Sequence, residues 1–576
     1  MAVPGHIIGK VRFGLSPDEQ EKLLDIAIKM FAGCKNERTD YEGDFRVLSE
    51  MFMPNGLRLE DNAKSTRNKW GKIINNTGLR AVRTVGAGMQ SGMTSPGRPW
   101  VKLGIEDFEM QEDAEVKEWL EFSTQRLLTV FRRSNMYGGS HQFYKNIAVF
   151  GTAAELQLED FDNVMDFTNL LTGSYWIGNN ARGRVDRLFV RQKYTVVQMV
   201  EKFGIDNVDP SVKLMYQRND FFQTVYVNLG IFPNPYSKWA PNGEVLIAAN
   251  QKPFVSVYWV DGQNAKRPLK TSGFNRFPGQ VARWDRAADE AYGSGCGIVA
   301  LGDTRAMQLK EREKAKGLQK MINPPVSAPS EMRQGQYPIS GLPGGITYRP
   351  PQSAPDSVRS MYEVNLPLQY LSNDIILDEE RVNSAFYVDL FMMISNSVDH
   401  DKTAFEVARM NEEKLQALGP VTDSLNNEYL DPKIERAIEI MMDADLLPPP
   451  PPQIQGKALK VEYIGVLAQA QQMVGIGGIE RFLTFTGNAE KMFPGMGALD
   501  QVNIGATIQE VGTMIGVPTR LLNDDNAIKQ IQDARAQEMA QQQQAQTVMA
   551  GADVAQKLGS VPMGEGNLLE RFAGQA

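Results

Sequence analysis

The sequence predicts an α+β protein that is mainly helical, and three observations point there. Capped, amphipathic helical segments fill much of residues 16–165 and recur after 296. β-branched and aromatic runs separated by turn residues cluster between about 170 and 290. A Pro/Gly-rich stretch without helical period, from Pro324 to about Leu366, divides the later helices. The chain has 576 residues, 42% hydrophobic and 23% charged, a globular composition with material for about four domains of ordinary size.

"SPDEQEKLLDIAIKMFAGC" opens with Ser16, Pro17 and acids in the first turn, the pattern of a helix start. "NTGLRAVRTVGAGMQSGM" reads as a second helix, rich in small residues and ended by "SPGRPW". "DAEVKEWLEFSTQRLLTVFRRS" is a third, with Val116, Leu120, Phe122, Leu127, Leu128 and Phe131 near helical spacing. "DRLFVRQKYTVV", "TVYVNLGIF", "EVLIAAN" and "FVSVYWVDG" read as strands. Next comes a charged helix, "DTRAMQLKEREKAKGLQKMINPP", with six basic and three acidic residues. At 100° per residue Arg305, Arg312, Lys316 and Lys320 share one face, Lys310 and Lys314 lie nearly opposite, and Met307, Ala315, Leu318 and Ile322 make a narrow apolar stripe between. A helix with so little apolar face suits a place among several neighbours, some of them polar; a solvated, salt-bridged helix is the plainer alternative.

After the Pro/Gly-rich stretch, in which "YPISG" and "GITYRP" are short strand-like runs, "LPLQYLSNDIILDEERVNSAF" places Leu368, Leu371, Ile375, Val382 and Phe386 on one stripe. Asp374, Asp378, Glu379 and Glu380 lie off it, as a solvated acidic face that matches the preceding helix in charge. "YVDLFMMISNSVDHDK" interrupts. Thr403 and Glu406 then form a capping box, Gly419-Pro420 kinks or ends that helix, and Asp431-Pro432 caps its resumption. Pro448 to Pro452 form a stiff strut, "KALKVEYIG" alternates like a strand, and the Gln-rich tail is helix-forming but weakly apolar.

The net charge of −8 and pI of about 5.4 exclude a protein that grips nucleic acid by neutralising many phosphates, though not one that lets it pass. Two distant cysteines, Cys34 and Cys296, imply no disulfide framework and a reducing compartment. No signal peptide is read at the N-terminus, and no apolar run approaches the roughly 18 residues of a membrane span, so no membrane partner is expected. Catalytic motifs are missing. Each Gly-Lys pair lacks the Ser or Thr of a phosphate loop. "GSGCG" (Gly293 to Gly297) lacks the dinucleotide spacing and reads as a tight turn feeding a helix. "GGSHQ" around Ser140 lacks the closing glycine of a nucleophile elbow. His6, His141 and His400 are the only histidines, and "DHD" at Asp399–Asp401 offers too few partners for a metal. No catalytic residue, metal or cofactor is expected.

Six blocks, in order, resemble the portal, or head-to-tail connector, proteins of short-tailed bacteriophages: "NNTGLRAVRTVGAGMQSGMTSPGRPWVKL", "EWLEFSTQRLLTVFRRSNMYGGSHQFYKNIAVFGTAAELQLED", "VDRLFVRQKYTVVQMVEKFG", "EAYGSGCGIVALGDTRAMQLKEREKAKGLQKMINPP", "KTAFEVARMNEEKLQALGPV" and "MIGVPTRLLNDD". The resemblance spans roughly residues 15 to 540. Ser294 stands where the family often has Arg, and Phe405 where it often has Thr.

The resemblance implies a non-enzymatic dodecameric ring around a channel for double-stranded DNA. It implies a wing (1–295), a first stem helix (296–322), a clip (323–366), a second stem helix (367–386) and a channel loop (387–402). A kinked helix returning to the wing (403–465), a crown (466–535) and a helical barrel or tail (536–576) complete it. Candidate channel residues are Asn396, Ser397, His400 and Lys402 in the loop, and Arg305, Arg312, Lys316 and Lys320 on the stem. Candidate inter-subunit residues are Lys310, Lys314, Asp374, Asp378, Glu379 and Glu380, with the helix kink at Gly419 and Pro420. Implied partners are the terminase large subunit, which supplies the packaging energy, tail adaptor and tail proteins, and major capsid and scaffolding proteins. The implied location is the portal vertex of the virion, with assembly in the host cytoplasm. The runner-up is another virion structural protein, such as a tail adaptor or internal scaffold; an enzyme ranks third.

Overall fold

A computed structural model describes residues 16–59, 73–107, 113–235, 252–261, 267–287, 290–322, 367–396, 412–455, 459–469 and 482–489, with a few shorter pieces between them. The chain divides into two units, Met1–Gly475 and Ile476–Ala576. In the second, the described part is chiefly helix 482–489, where Phe482 and Phe485 are exposed.

Helix α1 (Pro17–Phe52) begins at a complete capping box. The Ser16 hydroxyl accepts from the Glu19 N–H, and the Glu19 carboxylate accepts from the Ser16 N–H at 2.7 Å. The helix runs on well past Cys34, to Phe52. Its apolar side, Leu23, Leu24, Ala27 and Cys34, closes on Trp176, Phe189, Phe232, Val255, Val257 and Trp259. Helices α2 (Thr77–Met93) and α3 (Ala114–Arg133) fall where the sequence places them. Of the periodic residues of α3, Phe122 is the exception, half exposed where the others are buried.

Helix α4 (Met136–Phe150) holds the "GGSHQ" stretch. Ser140 is buried and donates to the Met136 carbonyl at 2.8 Å, so it is a helix residue with no elbow around it. The "GSGCG" glycines also have a packing role. A Cβ at Gly297 would stand 2.4 Å from the Val149 carbonyl oxygen, and one at Gly293 would stand 2.7 Å from that of Asp285. Two backbones cross there, at a distance only glycine permits.

Besides two pairs made of two-residue strands, the longer strands form three antiparallel sheets. We label them β1 (Val101–Ile105), β2 (Thr152–Asp160), β3 (Val164–Leu170), β4 (Tyr175–Asn179), β5 (Val185–Thr195), β6 (Thr224–Pro233), β7 (Phe254–Val260), β8 (Lys270–Phe274), β9 (Gly279–Arg283) and β10 (Leu459–Tyr463). The main sheet has order β8-β7-β6-β5-β4, a smaller one β9-β2-β3, and β10 pairs with β1. The "KALKVEYIG" strand therefore returns some 350 residues later in sequence to the N-terminal body, with Val461 opposite Leu103. Helices α5 (Val196–Phe203) and α6 (Pro210–Gln217) cap one end of the main sheet through Val196, Met199, Phe203 and Val212. Of "EVLIAAN", only Val245–Leu246 is described, pairing with Val11–Arg12.

Helices α7 (Cys296–Ile322), α8 (Leu368–Ala385) and α9 (Val388–Asn396) follow. The first half of "YVDLFMMISNSVDHDK", expected as a loop, is thus helical. Its Val388, Leu390 and Phe391 are buried, and an apolar run in contact with a body favours helix over loop. The Thr403–Glu406 capping box lies outside the described residues.

Helix α10 (Glu412–Leu425) passes through Pro420 without ending. Thr422 follows, and its hydroxyl donates to the Gly419 carbonyl at 2.8 Å. A π-helical turn, Asn426–Leu430, joins α10 to α11 (Asp431–Asp443). The expected cap at Asp431 is therefore absent. Asp431 is itself helical, its N–H bonds back to the Asn426 carbonyl, and its carboxylate accepts from the Tyr463 hydroxyl. Pro432 explains the widened turn: it has no N–H to give, and in an α-turn its ring would strike the Glu428 carbonyl.

The π-turn delivers charged groups into the body. Lys433 and Glu155, both fully buried, pair at 3.0 Å, and the Tyr429 hydroxyl donates to the same carboxylate at 2.8 Å. Phe143 stacks on Tyr429 at 3.8 Å, and Glu428 clasps the buried Arg283 guanidinium. Removing one member of such a pair strands the other charge. We expect Lys433→Met to lower stability by about 3–5 kcal/mol in urea unfolding, and the Glu155→Gln/Lys433→Met double variant to lose less than that single variant. A double variant less stable than Lys433→Met would contradict this.

Candidate functional site

Helices α7 and α8 run antiparallel as a two-helix layer. Lys310 reaches across to Asp374 at 2.6 Å and Asp378 at 2.8 Å, and Arg381 lies 3.9 Å from Asp303. Asp378 is almost fully buried, so it belongs to the packing face and not to the solvated acidic face read from the sequence. Lys310 makes that burial tolerable by neutralising it. Hydrogen bonds that the Lys310 ammonium donates to Asp374 first, then Asp378, push it above its ordinary value of 10.5. These three residues pair within the chain.

The inner face of α7 is polar as well. Met307 is buried, but Ala315 and Ile322 of the expected apolar stripe are exposed, and the residues beside Met307 that turn inward are Thr304 and Gln308. The Gln308 carboxamide clamps the chain entering α2. Its Oε1 accepts from the Ile74 and Asn75 N–H groups at 2.8 and 3.0 Å, and its Nε2 donates to the Asn75 carbonyl at 2.6 Å. The Asn75 side chain donates to Glu379 on α8 at 2.8 Å and accepts from the Thr77 N–H at the start of α2. Asn75 therefore ties α2 to both helices of the layer.

The other end of α2 receives α9. A Cβ at Gly88 would fall 2.3 Å from the Cβ of Phe391, so the glycine is what lets the two helices touch. The Phe386 ring, buried between α8 and α9, packs on Phe52 of α1 at 5.3 Å. The layer and its α9 extension are thus fixed to the body at several points.

Outward, Arg305, Arg312, Lys316 and Lys320 are all exposed on one side of α7, and Lys316 bonds Glu313 at 2.8 Å. Lys314 is half-buried on the side toward α8, and Glu380 is exposed. Asn396 ends α9; Ser397, His400 and Lys402 lie outside the described residues. Gly419 and Pro420 lie inside α10. Among the described residues no His/Cys/Asp/Glu cluster of metal-binding type occurs, and no helix is long and apolar enough to cross a membrane. Sequence reasoning did not find Asn75, Gln308, Gly88 or Phe391. The "NNTG" and small-residue pattern marks the region, but their partners lie hundreds of residues away.

Residues 25–522 match the family described as bacteriophage head to tail connecting protein. The portal protein of Salmonella phage epsilon15 is 36% identical over 94% of this chain and 95% of its own length. A probable portal protein of Bordetella phage BPP-1 is 34% identical over 96% of this chain and 98% of its own. The chain belongs to the bacteriophage head-to-tail connecting proteins. As a connector it is a structural component of the phage head-to-tail junction, not an enzyme. Among solved structures, a chain in the neck of an empty gene transfer agent particle aligns over 77% of this chain and 90% of its own at 10% identity and a TM-score of 0.34, a likeness that carries no weight here.

The Lys310 bridge has a pH signature. Its folded pKa is raised, so its contribution is complete below 10.5 and lost as pH rises through the folded value. We expect Lys310→Met to cost about 1–3 kcal/mol near neutrality, with the exposed Asp374 contributing little. Above pH 10.5 wild type should lose stability faster than the variant, so the two curves converge; parallel curves would contradict the bridge.

Proposed function

We propose that the chain assembles as a dodecameric portal ring at one capsid vertex, enclosing the channel through which double-stranded DNA is packaged and later ejected. The terminase large subunit docks on it during packaging and is then replaced by tail adaptor and tail proteins. Major capsid and scaffolding proteins surround it during assembly in the host cytoplasm.

The observation that carries the reading, beyond full-length similarity to proteins named as portals, is the α7–α8 layer. It is anchored to the body on its inner side, yet leaves large apolar residues uncovered outward: Val299 and Leu309 on α7, Tyr370, Ile376 and Leu377 on α8. Surfaces of that kind are covered by other copies in an assembly. At 1.5 Å per residue α7 spans about 40 Å, a fitting wall thickness for a channel.

In this reading residues 1–295 form the wing, 296–322 and 367–386 the stem, and 323–366 the clip. Residues 387–402 face the channel through Asn396, Ser397, His400 and Lys402, after which 403–465 return to the wing. The crown is 466–535, and 536–576 form a barrel or tail. Arg305, Arg312, Lys316 and Lys320 are available to the duplex or to a neighbouring copy. The net charge of −8 suits a wall that DNA slides past without being held.

Single-particle electron microscopy of the purified full-length protein tests this. The expected result is closed, twelvefold rings with an open axial channel wide enough for duplex DNA. Monodisperse monomers, or small closed oligomers without a channel, would contradict it and favour an adaptor or scaffold.

A further inference from the structure

We propose that neighbouring copies meet along a seam in which the outward face of α7 in one copy packs on the outward face of α8 in the next, with Arg305 opposite Glu380 and Leu309 opposite Ile376 and Leu377. The proposal rests on the ring reading above and adds the partner surfaces and their register.

Two exposed faces lie on different sides of the layer. On α7, Ile298, Arg305, Leu309, Arg312 and Lys316 fall within an arc of about 60° at 100° per residue. On α8, Tyr370, Asn373, Leu377 and Glu380 fall within a similar arc, with Ile376 at its flank. Leu309 is 57% exposed, Leu377 50% and Tyr370 81%, unusual values for large apolar side chains on ordered helices. The α7 face is basic and the α8 face apolar with one acid. Among the described residues Arg305 and Glu380 make no ion pair, while Lys310, Asp374, Asp378 and Arg381 around them are all paired within the chain. The faces complement each other and neither complements itself, which is the condition for a head-to-tail contact that closes into a ring.

The register follows from symmetry. Rotation about a ring axis leaves every residue at its own height along that axis. With the layer standing along the axis, residues level with one another inside one copy are also level across the seam. The internal pairs calibrate the levels: Asp303 with Arg381, and Lys310 with Asp374 and Asp378. Arg305 is then level with Glu380, and Leu309 with Ile376 and Leu377. Arg312 is level with Asn373 and near the Tyr370 ring, where a guanidinium is favoured. Arg305 belongs to the seam in this arrangement. Lys316 is level with the Tyr370 end of the seam, and Lys320 lies beyond it toward residue 323 and stays available to the duplex.

The test uses the full-length protein with Leu309→Cys and Leu377→Cys together, oxidised by copper phenanthroline and run on a non-reducing denaturing gel. The native thiols stay silent in this assay. Burial pushes Cys34 up to about 11 and Cys296 up to about 12, and both are covered. The expected result is a ladder of covalent multimers ending at the ring number, with neither single variant giving more than background. Separately, Arg305→Glu or Glu380→Arg should each raise the concentration for half-assembly about tenfold, and the two together should restore it to within about twofold. Rings that form without a ladder, or a double charge reversal no better than the worse single one, would overturn the seam and leave the ring standing. Wild-type protein that forms no ring would remove the ring itself.

Discussion

The arrangement of this chain depends on one polar clamp. Gln308 holds the backbone of Ile74 and Asn75, and Asn75 in turn holds Glu379. Through it α7, α8 and α2 are fixed to one another by directed hydrogen bonds instead of a broad apolar face. Hydrogen bonds to backbone groups fix register more tightly than apolar contact does, because an amide left without its partner in a buried place costs about 1–3 kcal/mol. The helix layer can therefore be mostly hydrophilic and still be held in place. Its few apolar outward residues remain for contacts that the single chain does not make.

A second set of buried polar contacts works the same way behind the layer. Lys433, Glu155, Tyr429, Arg283 and Glu428 converge where α10 passes through its π-turn into α11. The helix is widened at the place where Pro432 forbids an α-turn, and the widened turn aims Glu428 and Tyr429 at the sheets. Residues on the far side of Pro420 lead toward the segment proposed to face the channel. The end of α11 nearest the body is thus pinned, while α10 carries the chain away from it. The proposed channel segment is flanked by two elements fixed to the body: α9, seated at Gly88, and α10, pinned through the π-turn.

Much of this was legible in the sequence where the signal is local. Ser16 and the acids after it announced a helix start, α2 showed as a small-residue helix ended by "SPGRPW", the period of α3 was plain, and the alternation in "KALKVEYIG" gave the last strand. What was not legible depends on partners distant in sequence. Asp378 looks like its neighbours Glu379 and Glu380, and only Lys310 across the layer explains its burial. Helix α4 was hidden by its adjacent glycines, which lower local propensity but let α4 sit inside a packed body. The π-turn has no compositional mark, and Pro432 was read as a helix start because that is its commonest local meaning. The full-length family similarity was legible because it rests on many blocks in order, whereas the packing that sets the layer was not.

Hydrogen exchange on the unassembled subunit, read at the amides of Ile74 and Asn75, tests the clamp most directly. Both amides should be protected in the wild type and exchange fast in Gln308→Ala, while the amides of the main sheet keep their protection. Fast exchange at Ile74 and Asn75 in the wild type, or protection unchanged by the substitution, would contradict a layer held to the body by Gln308.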